Sequence, residues 1–75
     1  MKDKILEIIN LIREKNSKSP LKSIQITDNL RNDIGLDSLD LAELTVRIEN
    51  EFGVDVFEDG IVETIKEIID KLEKR

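Results

Sequence analysis

The residues with the most chemical content lie in the run Asp33-Ile34-Gly35-Leu36-Asp37-Ser38-Leu39-Asp40-Leu41. A glycine-containing stretch leads there directly into a segment with helical apolar spacing, so the Ser38 hydroxyl stands at a helix start. Two uses of such a hydroxyl compete. One is an ordinary N-cap that accepts from a first-turn N–H. The other is an oxygen that carries a phosphate, because the free N–H groups and the dipole of a helix N-terminus favour an anion. Gly35 lets the backbone turn sharply before the serine and take a positive φ. Leu36 and Leu39 flank the serine with apolar surface.

The rest of the chain offers little competing chemistry. There is no Cys and no His, which excludes disulfides, Cys/His metal sites, a histidine base and a cysteine nucleophile. Carboxylates are plentiful, but no Asp-x-Asp-x-Asp-Gly calcium loop is present. No convergent set of acid, base and nucleophile suggests an enzyme. Two Phe and no Trp or Tyr leave no platform for stacking bases. Any thiol chemistry must come from an attached group.

The elements that position Ser38 follow from apolar spacing. Residues 3–15 read as a helix, with Ile5, Ile8, Ile9 and Ile12 at i, i+3, i+4, i+7. Asp3 in its first turn and Arg13 and Lys15 in its last suit the dipole. Asn16-Ser17-Lys18-Ser19-Pro20 ends it. A long connection runs to about residue 37, with Ile24, Ile26, Leu30, Ile34 and Leu36 expected to pin it across the helices. Thr27 or Asp28 is expected to cap a single turn over 29–32. The second helix begins at Asp37 or Ser38, both good caps, and runs to Phe52, with Leu41, Leu44, Ile48 and Phe52 on one face and Gly53 as a left-handed cap. Val54-Asp55-Val56-Phe57 partly alternates, but a lone four-residue strand lacks a partner. Glu58-Asp59-Gly60 reads as a turn or a very short helix. Thr64 and Glu67 are spaced as a capping box for a last helix carrying Ile65, Ile68, Ile69 and Leu72 and closed by Lys71, Lys74 and Arg75.

The expected fold is thus a small all-α helical bundle, three main helices plus a short third helix, with a long loop between helices 1 and 2. The 75 residues make one domain, 1–75. Hydrophobic residues, nearly all aliphatic, supply 39% and charged residues another 39%, as a small core under a solvated surface requires. No apolar run reaches membrane-spanning length, and Met1-Lys2-Asp3-Lys4 opens an amphipathic pattern rather than a signal segment. A cytoplasmic monomer without membrane insertion is expected. The net charge of −5 is uneven: residues 28–63 hold eleven acidic and two basic side chains, the remainder six acidic and ten basic. An acidic middle repels nucleic acid and favours basic protein partners.

The Ile34-Gly35-Leu36-Asp37-Ser38-Leu39-Asp40 run at a helix start, the long upstream loop, the acidic second helix and the chain length together resemble the acyl carrier protein family. The resemblance extends over nearly the whole chain. It implies that Ser38 bears 4'-phosphopantetheine through a phosphodiester, whose terminal thiol holds acyl groups as thioesters. It implies a carrier and no catalysis by the protein itself. Asp37 matches the acidic residue that helps the phosphopantetheinyl transferase engage. Asp40, Glu43 and Glu49 match acidic positions of the recognition helix, and Leu39, Leu41 and Val46 its exposed apolar contacts. The partners implied are that transferase and acyl-loading and acyl-processing enzymes with basic docking patches.

Two departures shape the expected pathway. Arg47 and Asn50 stand where carriers of fatty-acid synthesis usually have a small or apolar residue and an acid. Glu43–Arg47 and Arg47–Glu51 are also spaced as i, i+4 pairs. The 57–63 segment is short, which curtails the helix that helps wall the acyl pocket. Both favour a dedicated lipid, polyketide or similar pathway. The alternatives are a housekeeping fatty-acid carrier, an aminoacyl, peptidyl or D-alanyl carrier, and, in another class, an unmodified helical interaction module.

Overall fold

Three amphipathic segments fold into α1 (Lys2–Lys15), α2 (Ser38–Phe52) and α3 (Ile65–Glu73) in a computed structural model that describes residues 1–74. Arg75, expected among the closing cations, lies outside the described residues. The apolar stripes point where their spacing directs them. Ile5, Ile8, Ile9 and Ile12 of α1 meet Leu41, Leu44 and Ile48 of α2 and Ile65, Ile68 and Leu72 of α3 in one buried cluster. Burying each such side chain is worth about 1.5–3 kcal/mol. α1 and α2 make the most extensive helix–helix contact. Phe52, on the α2 stripe, and Ile69, on the α3 stripe, are half-buried at the margin of the cluster.

The long connection completes the core. Ile24, Leu30, Ile34 and Leu36 are buried, whereas Ile26, expected to pin the loop with them, is exposed. Its backbone does the pinning instead. The carbonyls of Ile26 and Asp28 accept from the N–H groups of Lys66 and Ile65 at 2.8 and 3.2 Å, and the Leu30 N–H donates to the Glu63 carbonyl at 2.8 Å. Two of the first-turn donors that α3 cannot satisfy internally are thereby used by the loop. Among the described residues the β-type pairing is a single bridge, Asn29 with Thr64, and residues 54–57 form no strand.

Local caps differ in part from expectation. The turn after Leu30 is capped by Asn29, not by Thr27 or Asp28. The Asn29 Oδ1 accepts from the N–H groups of Arg31 and Asn32, both at 2.9 Å, and Asp33 reaches back to accept from the Asn29 N–H at 2.7 Å. Asp28 accepts from the Gln25 N–H. At α3 the Glu67 N–H donates to the Thr64 hydroxyl, as predicted, but the Glu67 carboxylate accepts from that hydroxyl and from the Glu63 N–H. The capping box is therefore not closed on the Thr64 backbone, whose region is already bridged to the loop. Gly53 ends α2 at φ 74°. Between α2 and α3 the expected short helix is reduced to turns, the N–H groups of Glu58 and Gly60 donating to the carbonyls of Asp55 and Phe57.

Candidate functional site

Ser38 is the first residue of α2, and the N-cap is Asp37. The Asp37 carboxylate accepts from the Asp40 N–H at 2.9 Å, and the Asp40 carboxylate accepts from the Asp37 N–H at 3.1 Å. This reciprocal box settles the ambiguity over the cap. It also leaves the exposed Ser38 hydroxyl out of the helix's own hydrogen bonding.

The approach to the serine is clamped by Arg13 of α1 and by Lys18, three residues beyond its end. Gly35 has φ 85°, a region that side chains disfavour. The Arg13 guanidinium donates to the carbonyls of Ile34 at 2.8 Å and Ser19 at 3.0 Å, and the Lys18 ammonium donates to the Gly35 carbonyl at 3.0 Å. The Leu36 N–H donates to the Leu30 carbonyl. Two cations thus gather the carbonyls of the turn, so the serine has a defined position relative to α1. Nothing in the spacing of Arg13 and Lys18 marked them for this, since Arg13 suits a helix C-terminus equally well and Lys18 belongs to the polar run that ends the helix.

Arg31 makes the side-chain hydrogen bond to the site. Its Nη2 donates to the Ser38 Oγ at 2.9 Å. Arg31 and Ser38 line a cleft of about 230 Å³ together with Leu41, Ala42, Phe57 and Ile61. No spacing pattern signals this contact, because it depends on the Asn29-capped turn, which swings residue 31 toward residue 38.

The sequence-predicted contact residues of α2 separate into two groups. Leu39 is 82% exposed and Val46 is also exposed, as is Glu49. They lie on one face at i, i+7 and i+10. Asp40 and Leu41 are different. Both were expected as partner contacts, but Asp40 is only 7% exposed and Leu41 belongs to the core. The second Asp40 oxygen accepts from the Asn16 amide at 2.8 Å, tying α2 to the end of α1. The spacing Asp40, Leu44, Ile48 is i, i+4, i+8, so its inward position was available from the stripe itself. Glu43 is engaged on both sides, by Lys15 at 2.9 Å and by Arg47 at 2.8 Å. Those hydrogen bonds, the one from Lys15 first, hold its carboxyl below the usual carboxylate range. Arg47 does not pair with Glu51, which binds Lys4 at 3.3 Å instead.

The donor set at Ser38 suits a phosphodiester. An exposed hydroxyl sits on a helix N-terminus, a guanidinium lies within hydrogen-bond reach of its oxygen, and the neighbouring Asp37 carboxylate is turned into the cap. Among the described residues no cluster of acidic side chains could hold a metal ion, and no helix is long and apolar enough to cross a membrane.

A family model described as a phosphopantetheine attachment site matches residues 5–72. An acyl carrier protein of Amoebophilus asiaticus is 32% identical, the match covering 92% of this chain and 88% of that protein. Acyl carrier protein 2 of Pseudomonas aeruginosa is 40% identical over 68% of this chain and 67% of its own length. An acyl carrier protein of Rickettsia canadensis is 36% identical, covering 97% and 87%. With the helical architecture already described, these matches identify a carrier rather than an enzyme, with 4'-phosphopantetheine as its covalent group. The chain belongs to the acyl carrier protein family.

Proposed function

We propose that Ser38 carries the 4'-phosphopantetheine arm and that the protein serves a dedicated acyl pathway in the cytoplasm, as a monomer. The observation that carries the site is the division of labour at the start of α2: Asp37 caps the helix, and Ser38, the next residue, is exposed and outside the cap. When bound, the arm supplies a terminal thiol that holds the cargo as a thioester. The chain contributes the position and orientation of the serine, through Arg13, Lys18 and the Asp37–Asp40 box.

The reading of a dedicated pathway draws support from the charges of α2. Asp40 is buried, Glu43 is shared by two cations and Glu51 is paired with Lys4. Much of the negative charge counted along the helix is therefore spent within the molecule. The outward surface is an apolar pair, Leu39 and Val46, with Glu49 and Asn50 beside it. The phosphopantetheinyl transferase and the acyl-processing enzymes would meet a surface with less charge than an acidic helix normally offers, and docking would depend less on salt.

Incubation with a phosphopantetheinyl transferase and coenzyme A, followed by intact-mass measurement, tests the carrier reading, and one arm per chain is expected. The pathway reading has its own test in elongation by general fatty-acid enzymes at low and moderate salt. The wild type should be a poor substrate and Arg47→Ala a better one, because the substitution frees negative charge at Glu43. Efficient elongation of the wild type, with no gain in Arg47→Ala at low salt, would contradict the dedicated role.

A further inference from the structure

Residues 28–63 contain two cations, and their situations differ. Arg47 is bound to the Glu43 carboxylate. Arg31 forms no ion pair among the described residues, although eleven carboxylates share its segment. Its guanidinium is directed at a neutral oxygen, the Ser38 hydroxyl, at 2.9 Å. The turn that places it is fixed by three bonds from side chains to backbone, two to the Asn29 amide oxygen and one to the Asp33 carboxylate. A guanidinium held against an uncharged hydroxyl uses one of its five donors for a weak acceptor and leaves the rest of a fork suited to two oxygens.

Resting on the assignment of Ser38 as the attachment point, we propose that Arg31 is a positioning residue for the arm, binding the phosphodiester that forms on Ser38. Esterification by coenzyme A forms the Oγ–P bond as the coenzyme's pyrophosphate P–O bond breaks, releases 3',5'-ADP and the hydroxyl proton, and turns Oγ into a bridging oxygen, a poor acceptor. It also places two non-bridging oxygens sharing one negative charge two bonds from Oγ, through the phosphorus. The guanidinium transfers to them with little movement and exchanges a neutral acceptor for an anionic one. Because Arg31 and Ser38 open on the same cleft, bounded by Leu41, Ala42, Phe57 and Ile61, the contact sets the direction in which the arm leaves the helix. It lays the first bonds of the arm over this cleft rather than out along the helix axis. Arg31 is exposed and outside the core, so its replacement leaves the fold intact.

The experiment compares the holo forms of the wild type and Arg31→Gln by phosphorus NMR, after intact mass has shown both to be loaded. In the wild type the phosphodiester signal should be broadened and displaced from that of a flexible serine phosphopantetheine ester, and the Arg31 side-chain Nε–H resonance should move between apo and holo protein. In Arg31→Gln the phosphorus signal should narrow and return to the flexible position. Identical phosphorus signals in the two loaded proteins, or an Arg31 resonance unmoved by loading, would overturn the inference and leave the attachment site standing. A wild type that gains no mass on Ser38 would sink the attachment reading and this inference with it.

Discussion

The connection between α1 and α2 and the shorter one between α2 and α3 meet across the cleft beside Ser38, and they are held in opposite ways. The longer one is tied to elements on both sides. Asn10 of α1 exchanges two hydrogen bonds with the Leu21 backbone at 2.9 and 2.8 Å, Arg13 and Lys18 hold its carbonyls, and its own carbonyls receive the N–H groups that open α3. Four of its aliphatic side chains are buried. The shorter one is fixed at Val56 and Val62, both buried. Between them its backbone closes on itself through turns at Glu58 and Gly60, with Phe57 half-buried against the core and Asp59 3.8 Å from Lys71 of α3 as its ties to the rest of the molecule. Its Ile61 is 77% exposed. The length of a loop therefore says little about its order; the backbone groups it can give to neighbouring elements say more. Ser38 stands on the anchored side, and the wall opposite is the lightly held one. With Ser38 proposed as the attachment point, that asymmetry sets a fixed hydroxyl opposite a surface with fewer ties to the core.

The contrast is sharpest in the cost of truncation. Leu30→Ala, in the anchored connection and 1% exposed, should lose about 2–5 kcal/mol of stability. Ile61→Ala, in the lightly held one, should stay within about 0.5 kcal/mol of the wild type. Urea melts of the two variants measure this directly, and equal midpoints would erase the distinction.

A smaller effect separates support of the helix from contact with partners. Asp40→Ala removes the reciprocal box and leaves the Asn16 amide and the Asp37 N–H without their acceptor, at a cost of about 1–3 kcal/mol. Glu49→Ala should leave the melting temperature unchanged, because Glu49 is exposed and makes no ion pair among the described residues. If Asp40→Ala melted like the wild type while losing its partners, Asp40 would be a docking residue after all.

The smallest effect is a dependence on pH. The Glu43 carboxyl is lowered in the folded state, first by Lys15 and then by Arg47. A lowered carboxyl binds protons less readily when folded, so its contribution is present above the ordinary glutamate value of 4.5 and fades as pH falls below it. Glu43 is 23% exposed and its partners more so, so screening keeps the effect modest. Stability curves of the wild type and Glu43→Gln should converge as the pH drops through the acid range. Curves that stay parallel from neutral to acid pH would show that the three charged groups do not interact in solution.

Periodic features were the most legible in the sequence. The Ile stripe of α1, the Leu41–Leu44–Ile48 stripe of α2, the positive φ of Gly35 and the Gly53 cap all follow from side-chain shape and spacing within one segment. Features that depend on two segments were not legible. Arg31 reaches Ser38 because Asn29, rather than Thr27 or Asp28, caps the intervening turn. The choice of Asn29 is tied to its pairing with Thr64, which lies thirty-five residues away. Asp40 misled for a different reason. Charge suggested an exposed residue, while its place on the stripe and its two acceptor oxygens direct it inward to Asn16 and the cap.

The central claim is that the anchored side of the cleft exists to present one particular hydroxyl. Peptide mapping of the loaded protein by tandem mass spectrometry, alongside Ser38→Ala treated in the same way, tests it most directly. The account predicts a single arm on Ser38 in the wild type and none in Ser38→Ala, whose circular dichroism and melting should match the wild type because Asp37 supplies the cap. An arm found on another serine, or a Ser38→Ala protein that still accepts one, would contradict it.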